Sequence, residues 1–421
     1  MARVNKMAEN LIGSQILELS DQIRQKLRAG EQIFDLTIGD FDPGIFPVPQ
    51  ELKDAVAVAY AQNHTQYPAA NGIAGLRNAI STYTLKQQGL DYPANDYLVS
   101  SGARPLIYAA YLTLLNPGEK IIYPVPSWNN HFYSHIAQAN GLALATNPED
   151  NFLPTAQILE PHIQQAGMLA LCSPLNPAGT VFSEAQLSDI CKLVLAENQR
   201  RGPEGKPLYI LYDQIYRSLT YDNTRHLDPV SILPEMRPYT IYIDGLSKAY
   251  AATGLRMGWA FGPADVIGKM KLLLAHIGSW PSHPLQHAVA DYLGKDENVN
   301  QYLHDFREKL NRRLKGFYQG FSNLKAKGYP VDVISPRAAL YLTVKIDLRG
   351  FHTPTGTPLQ TGRQVYQYLL NEAGVAMVPF YAFGLEETSL WHRLSVGTAN
   401  MEDIPVIFQK LEMALSKLKS N

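Results

Sequence analysis

The sequence alternates short apolar runs with turn-forming residues and helical patterns over more than half of its length. Between about residues 45 and 295, apolar runs lead into clusters of Gly, Pro, Ser or Asn, and segments with helical periodicity follow. Strands separated by helices pair in parallel, because the helix returns the chain to the edge where the strand began. The pattern therefore predicts an α/β fold in which helices cover a mostly parallel sheet. The clearest candidates are strands at 141–145, 168–172, 208–213 and 239–244 and a helix at 183–200.

The pattern changes near residue 300, which indicates a second, smaller domain. Its expected elements are a charged amphipathic helix at 302–325, an alternating strand at 339–347, and helices at about 362–373 and 402–418. We therefore predict a large domain of residues 39–295 and a small α+β domain of residues 296–421. Residues 1–38 are expected to join the small domain.

Composition limits the kinds of partner. The chain has 421 residues, 46% of them hydrophobic, and a formal net charge of −1 at pH 7. Such a chain offers no electrostatic surface for nucleic acid or an anionic membrane, and no run approaches the roughly 18 apolar residues of a membrane span. Cys172 and Cys191 are too few for a disulfide framework, and the N-terminus has no apolar signal core. We therefore expect a cytoplasmic protein whose partners are small molecules and a second copy of itself.

Polar residues stand where two of the predicted strands end. Asp213 ends the run 208–213, and Asn176 lies in the turn Ser173–Thr180 after the run 168–172. Two prolines and a glycine restrict that turn, so the amide of Asn176 is held in one direction. Ligands of open α/β sheets bind at the carboxyl ends of the strands. Each residue alone also suits a structural turn, but together they indicate a ligand site.

One lysine stands out in the chemistry that the sequence offers. Lys248 follows Ser247 and precedes Arg256 by eight residues, within the segment Asp244–Trp259. An amine can form an imine with an aldehyde, while a hydroxyl and a guanidinium fork can bind a phosphate dianion. This arrangement favours pyridoxal phosphate as cofactor, with Asp213 placed to pair with its protonated ring nitrogen. Taken alone, a Ser-Lys pair is equally typical of a solvated surface.

Two further segments lead to the same edge of the sheet. The run 97–101 leads into Gly102–Arg104 and a helical pattern, so that backbone amides at this helix start can bind a phosphate. The run 120–123 leads into Trp128, whose indole can stack on a flat ring. Burial in the core is the commoner fate of a tryptophan, and only the position of Trp128 argues for the site.

As a set, these segments resemble those of the class I/II aminotransferases, which are pyridoxal phosphate-dependent enzymes of fold type I. The resemblance runs from about residue 33 to the C-terminus. It implies a fold type I transferase with a mostly parallel large domain, acting as a homodimer with shared active sites. The residues that carry the resemblance are Tyr67, Ser101–Arg104, Trp128, Asn176, Asp213, Tyr216, Lys248, Arg256 and Arg393.

The resemblance also implies a role for each of these residues. Lys248 would carry the cofactor covalently, and Asp213 would pair with its ring nitrogen. Arg393 would bind the substrate α-carboxylate, assisted by Asn176 and the Gly39 backbone, since a guanidinium fork matches a carboxylate at any working pH. The remaining implied cofactor contacts are Asn176 and Tyr216 at the phenolic oxygen and Trp128 on the ring. At the phosphate they are Gly102, the amides of Ala103 and Arg104, Ser247 and Arg256. The partner subunit would add its own Tyr67 at the phosphate.

Two departures from the family concern the site. Gly245 stands where the family often has a serine, three residues before the lysine, so one phosphate-binding hydroxyl is missing. The dipeptide Asp213-Gln214 replaces the usual Asp-Glu. Neither change removes a catalytic group, and we therefore expect activity to be kept.

We predict amino transfer from an L-amino acid to a 2-oxo acid. Arg104 points to a dicarboxylic donor such as aspartate, because a bacterial aspartate aminotransferase subgroup has a lysine here that contacts the distal carboxylate. An exposed charge at the helix start is an equal alternative for Arg104. Aromatic or broad specificity, with Trp280 and Trp391 lining an apolar pocket, is a second prediction. A pyridoxal phosphate-dependent lyase or synthase would share nearly all these residues, whereas a cofactor-sensing regulator would need an attached basic DNA-binding domain.

Two histidine pairs have the i, i+4 spacing of helical metal ligands. They are His131 with His135 and His283 with His287. Neither pair has the glutamate of a zincin motif or a clear third ligand. We therefore predict no metal site.

Overall fold

The computed structural model describes residues 4–13 and 15–420, and it has the α/β fold predicted from the sequence. A seven-stranded sheet forms its centre, and every strand runs parallel to the others except Gly258–Phe261. The strands predicted in this region are all present, with ends shifted by at most two residues. In spatial order, the sheet contains Tyr97–Ser100, Gly258–Phe261, Thr240–Gly245, Tyr209–Asp213, Ala166–Cys172, Lys120–Val125 and Asn140–Ala145.

Helices cover both faces of this sheet, because successive side chains of a strand point to opposite faces. In Ala166–Cys172, for example, Leu169 packs into one apolar cluster and Met168 into another. The helices on the side of Leu169 are Gln50–Ala61, Ala74–Gln88, Glu184–Arg201 and His283–Leu293. Those on the side of Met168 are Ala103–Leu114, Asn130–Ile136 and Ala264–Ile277. Shorter helices are Ala156–Leu159, Pro229–Ile232 and Leu246–Ala249.

Local sequence explains where two of the helices begin. Ser183 accepts a hydrogen bond from the Gln186 amide, and the Gln186 side chain reciprocates at the start of Glu184–Arg201. Thr361 and Gln364 form the same capping box at the start of Gly362–Glu372. Each box satisfies backbone donors that the first helical turn leaves free.

The C-terminal part of the chain forms a four-stranded antiparallel sheet with helices against it. An apolar cluster that includes Leu314 and Leu342 lies between the layers. The helix predicted at 302–325 begins earlier, at Asp296, because acidic residues in its first turn favour the helix start. The strands, in spatial order, are Val378–Pro379, Trp391–Ser395, Tyr341–Ile346 and Val331–Val333. The helices are Asp296–Ala326, Gly362–Glu372 and Asp403–Ser416, and Phe351–His352 pairs separately with Lys419–Ser420.

The N-terminal segment contacts both parts of the molecule. It contains the helices Lys6–Glu9 and Gln15–Arg28. The second of these buries Leu19 and Ile23 in the cluster on the Leu169 side of the large sheet. The strand Phe34–Asp35 instead pairs in parallel with Val375–Ala376. The domain limits at 38 and 295 stay predictions, and residues 1–3, 14 and 421 lie outside the described residues.

Two expectations from composition concern cysteines and membranes. Cys172 and Cys191 are both free thiols. Among the helices of the described residues, none combines the length and the apolar character that crossing a bilayer requires.

Candidate active site

A cavity of about 640 Å³ opens at the carboxyl ends of the parallel strands, the edge at which the sequence predicts the site. Its wall combines residues from the large sheet, the C-terminal part and the N-terminal segment. Tyr67 and Gly102 are not part of this wall. The predicted site residues that line the cavity are Gly39, Ala103, Arg104, Trp128, Asn176, Asp213, Tyr216, Ser247, Lys248, Arg256 and Arg393.

Lys248 lies in the short helix that directly follows the strand Thr240–Gly245. Its Nζ donates a hydrogen bond of 2.6 Å to the carbonyl oxygen of Gly39. Burial lowers the pKa of Lys248 to about 8; Asp40 opposes this shift, and the nearby arginines add to it. A larger fraction of the Lys248 amine is therefore neutral near physiological pH than in an exposed lysine, and a neutral amine can act as a nucleophile and a base.

Asp213 ends its strand with the carboxyl group at the cavity. Its Oδ1 accepts a hydrogen bond of 3.1 Å from the amide of Ile215. Burial raises the pKa of Asp213 to about 7, and the negative charge of Asp244 also raises it. The hydrogen bond from the Ile215 amide and the charge of Lys248 act in the opposite direction and lower it. A cation beside Asp213 would favour its charged form, so the position fits a protonated ring nitrogen.

The start of the helix Ala103–Leu114 fits a phosphate. Its N-cap residue, Gly102, has no side chain to bond the first amides, and within the described residues no N-cap bond from a side chain is formed there. Gly102 has φ 102°, and a Cβ at this position would collide with the guanidinium of Arg256. Arg256 is held by a hydrogen bond of 2.8 Å from Nη1 to the carbonyl of Thr253. The helix start, the Arg256 guanidinium beside it and Ser247 all line the cavity, and together they supply the kinds of donor that a phosphate dianion requires.

The structure explains why position 245 carries no hydroxyl. Gly245 pairs with Gly258 of the neighbouring antiparallel strand. A Cβ on Gly245 would lie 2.8 Å from both the Gly258 Cα and the Met257 carbonyl oxygen. A side chain at this position would therefore require the two strands to move apart.

Arg393 lines the same cavity and is buried, with 2% of its surface exposed. Nη1 donates to Asn176 Oδ1 at 3.1 Å and Nη2 donates to the Thr37 carbonyl at 2.6 Å. Its Cζ lies 4.5 Å from the ring centre of Tyr341 and 4.9 Å from that of Phe383. Among the described residues, Nε finds no acceptor. These partners are uncharged and a buried cation is costly, so the position fits an anionic ligand such as a carboxylate.

Asn176, Tyr216 and Tyr341 form a chain of hydrogen-bonded polar groups beside Arg393. Asn176 Nδ2 donates to the Tyr216 hydroxyl at 3.4 Å, and the Tyr216 and Tyr341 hydroxyls are 2.8 Å apart. Burial raises the pKa of Tyr216, so the phenol keeps its proton and can donate it in a hydrogen bond. Asn176 and Tyr216, predicted to share a ligand oxygen, are therefore neighbours.

The cavity also contains residues that the sequence did not single out as ligands. Thr37 and Tyr341 contact Arg393, and Ile16 and Leu17 belong to the N-terminal helix. Tyr341 lies on the strand that pairs with that of Arg393, a pairing that only the folded chain shows. No periodicity within residues 15–28 indicates that this helix reaches the cavity, because that placement depends on contacts made far along the chain.

Arg104 and Trp128 line the cavity, whereas Trp280 and Trp391 do not. The Cζ of Arg104 lies 5.5 Å from the ring centre of Trp128, and both residues line the wall. Trp391 packs on Phe152 with ring centres 5.3 Å apart. Trp280 lies beside Tyr67, outside the cavity. Among the described residues, neither Trp280 nor Trp391 lines this cavity, in contrast to the apolar pocket predicted from them.

Tyr67 lies away from the cavity of its own chain. Its side chain is 89% exposed, and its ring centre lies 5.9 Å from that of Trp280. A residue that serves a second subunit needs such an exposed position. Its contribution to a shared site stays a prediction.

The second histidine pair has a third member. His64 stacks on His287 with ring centres 3.7 Å apart, and Nε2 of His283 lies 3.2 Å from Nε2 of His287. No group of three or more His, Cys, Asp or Glu side chains within 4–13 and 15–420 is arranged to hold a metal ion. The rings of His64 and His287 instead pack face to face.

Fold and site together define a class of enzyme in which a buried lysine, the start of a helix and a buried arginine line one cavity at the carboxyl ends of a parallel sheet. This is the arrangement of the pyridoxal phosphate-dependent transferases of fold type I. The chain belongs to the aminotransferase class I and II family, whose model matches residues 31–411. The prediction of an aminotransferase from the sequence is therefore confirmed.

Relatives cover almost the whole chain. It is 29% identical to the aspartate aminotransferase of Rhizobium meliloti strain 1021 over 392 residues, which is 92% of this chain and 90% of that protein. It is 30% identical to a probable aspartate/prephenate aminotransferase of Rickettsia bellii over 396 residues, 93% of each chain. The crystal structure of the aspartate aminotransferase from Rhizobium meliloti matches all of both chains with a TM-score of 0.91 and 26% identity. An aromatic aminotransferase from Pyrococcus horikoshii OT3 matches with a TM-score of 0.80 and 26% identity over 94% of this chain and 98% of that one.

Proposed function

We propose that this aminotransferase takes the amino group from an L-amino acid with a second carboxylate, such as aspartate, and passes it to a 2-oxo acid. The observation that carries the proposal is the pair of arginines in one cavity, with Arg393 buried and Arg104 beside Trp128. Two guanidinium groups suit the two carboxylates of a dicarboxylic acid. The names of the Rhizobium and Rickettsia relatives agree with this donor class.

The donor set of the cavity fits pyridoxal phosphate. When bound, this cofactor supplies an aldehyde that takes up the amino group and a ring that withdraws electrons from the substrate α-carbon. Lys248 would hold it covalently and Asp213 would face its ring nitrogen. The other proposed contacts are Asn176 and Tyr216 at the phenolic oxygen and Trp128 on the ring. At the phosphate they are the backbone amides of Ala103 and Arg104 and the side chains of Ser247 and Arg256, with Gly102 giving access.

Each of the side chains in the cavity would then have its own role in the reaction. Arg393 holds the α-carboxylate and thereby orients the α-carbon toward Lys248, assisted by Asn176 and the Gly39 backbone. The neutral Nζ of Lys248 accepts the α-proton and returns it. A base works best with a pKa near the working pH, and burial brings the pKa of Lys248 to about 8. Tyr216 keeps its phenolic proton and donates a hydrogen bond.

The first prediction concerns the donor and Arg104. Arg104→Ala should lower kcat/KM for aspartate and glutamate by at least about tenfold, because losing one partner of a charge pair costs roughly 1.4 kcal/mol or more. Alanine and phenylalanine should change much less as donors. Arg104→Lys, which keeps the charge, should retain most of the preference. Steady-state rates with a common 2-oxo acid acceptor, at equal bound cofactor, provide the comparison.

The alternative outcome has a structural basis in the apolar wall formed by Ile16, Leu17 and Ile107. A wild-type enzyme that favours phenylalanine or tyrosine over aspartate would be an aromatic or broad-specificity aminotransferase. Equal losses for every donor in Arg104→Ala would assign Arg104 to the phosphate and would remove the support for a dicarboxylic donor.

The second prediction concerns the homodimer. We propose that Tyr67 of each subunit reaches the phosphate of the other, which its exposed position permits. Tyr67→Phe and Lys248→Ala are then expected to complement each other. In a mixed dimer, the site with an intact Lys248 receives an intact Tyr67 from the partner subunit, so one wild-type site is restored. The mixture, after refolding together, should exceed the summed activity of the separate variants.

Two results would contradict the shared site. One is a mixture no more active than the sum of its components, and the other is a fully active monomer in sedimentation. Mixing each variant with itself controls for the refolding step. The cytoplasmic location stays a prediction from the sequence.

A further inference from the structure

A short segment at the start of the site contacts several functional groups in succession. The carbonyl of Thr37 accepts from Arg393, and that of Gly39 accepts from Lys248, each at 2.6 Å. The next residue, Asp40, accepts a hydrogen bond of 2.7 Å from the Thr253 hydroxyl. The segment therefore connects the substrate arginine, the lysine and the loop that precedes Arg256.

The carboxylate of Asp40 is held in place by two donors. Besides the Thr253 hydroxyl, the amide of Phe41 donates to the same oxygen, Oδ1, at 2.8 Å. Asp40 also lines the cavity together with Lys248 and Thr253. Its position links Gly39, which binds the lysine, to the loop Thr253–Leu255, whose first carbonyl holds the Arg256 guanidinium. A single carboxylate thus connects the segments on two sides of Lys248.

The charges around Lys248 are unbalanced without Asp40. Three of the groups that face the amine are arginines with a permanent positive charge, and each favours loss of the proton from Lys248. Asp213 is the other acid nearby, and its charge would be paired with the ring nitrogen of the bound cofactor. The charged and titratable groups that face Lys248 are Asp40, Asp213, Tyr216, Arg104, Arg256 and Arg393.

We propose that Asp40 is a positioning residue for Lys248, which ties Gly39 to the Thr253 loop and offsets with its charge the three arginines that face the amine. This inference rests on the proposed role of Lys248 as the cofactor anchor and proton carrier. Asp40 would touch neither the substrate nor the reacting atoms. It would act by keeping the nitrogen of Lys248 in place and its proton affinity near the working pH.

The sign of the effect follows from the charge. Removing a negative charge disfavours the protonated form of Lys248, so the pKa of its nitrogen falls. The neutral form then persists to lower pH. The acid limb of the pH profile of kcat/KM should therefore move to lower pH, together with the proton-dependent change in the absorbance of the bound cofactor.

Asp40→Asn separates charge from geometry, because the amide oxygen of Asn can still accept from Thr253 and Phe41. In the holoenzyme, we expect the midpoint of the cofactor absorbance titration to fall by about one pH unit. Thr253→Val removes the hydroxyl but keeps the charge and should shift the midpoint much less. Asp40→Glu, which restores the charge, should titrate near the wild type.

The outcomes of these experiments test the role of Asp40 separately from the proposed function of the site. An unchanged midpoint in Asp40→Asn, or an equal shift in Thr253→Val, overturns the electrostatic role of Asp40. If Asp40→Asn does not fold, as judged by circular dichroism and melting temperature, Asp40→Ser removes the same charge with a smaller side chain and gives the same test. If the cofactor absorbance of Lys248→Ala titrates as that of the wild type does, the proposed function of Lys248 itself is overturned.

Discussion

Replacing Lys248 by alanine is expected to abolish covalent attachment of the cofactor and to lower kcat by about 10³-fold or more. The variant loses both the amine that anchors the cofactor and the base that moves the α-proton, and general acid–base catalysis alone contributes about 10² to 10⁴-fold. Mass spectrometry after borohydride reduction measures the attachment, and single-turnover kinetics measure the rate. Added methylamine should restore part of the rate, because it supplies a neutral amine to the emptied space.

Lys269→Ala is a suitable control. Lys269 is exposed on the helix Ala264–Ile277, and its removal should leave attachment and kcat unchanged. Cofactor found covalently bound at normal stoichiometry in Lys248→Ala would mean that another lysine is the anchor. The assignment of Lys248, and with it the role of Asp40, would then fail.

Arg393→Leu is expected to lower kcat/KM for all amino acids by about 10² to 10³-fold. The substrate carboxylate would lose its charged partner at a buried position, and such a loss costs roughly 2–5 kcal/mol. Because every amino acid shares the α-carboxylate, the loss should be similar for dicarboxylic, aromatic and small donors. This uniform loss contrasts with the selective loss expected for Arg104→Ala.

An amine without a carboxylate is the sharpest control for Arg393. Its slow reaction with the cofactor should be unaffected by Arg393→Leu, since no carboxylate is present to bind. Arg349→Leu, at an exposed arginine that pairs with Asp347, should change neither reaction. An equal loss with the amine would show that Arg393 supports the fold of the cavity and does not bind the substrate.

The sequence was sufficient to predict the mostly parallel sheet and the polar groups at its carboxyl edge. Asn176, Asp213 and Lys248 each follow a strand of their own. In a parallel sheet the carboxyl ends lie side by side, so residues after successive strands come together without any knowledge of long-range packing. The same reasoning located the helix start at Gly102, because a glycine after a strand and before a helical pattern marks a close approach of the backbone.

Other contacts depend on parts of the chain that no local rule relates. Thr37 and Arg393 are separated by 356 residues, yet the carbonyl of one holds the guanidinium of the other. Trp391 was predicted to line an apolar substrate pocket, but it packs on Phe152. Ile16 and Leu17 reach the cavity only because Leu19 and Ile23 of the same helix are buried against the large sheet.

What the sequence determined by itself was the alternation of strands and helices, the polar residues at the strand ends, and thus the family and the type of chemistry. The tertiary structure alone decided the protonation of the groups that would perform it. Burial raises the pKa of Asp213 to about 7 and lowers that of Lys248 to about 8, in opposite directions because one group is charged when deprotonated and the other when protonated. Desolvation depends on every atom packed around a group, and those atoms come from distant segments that only the folded chain brings together.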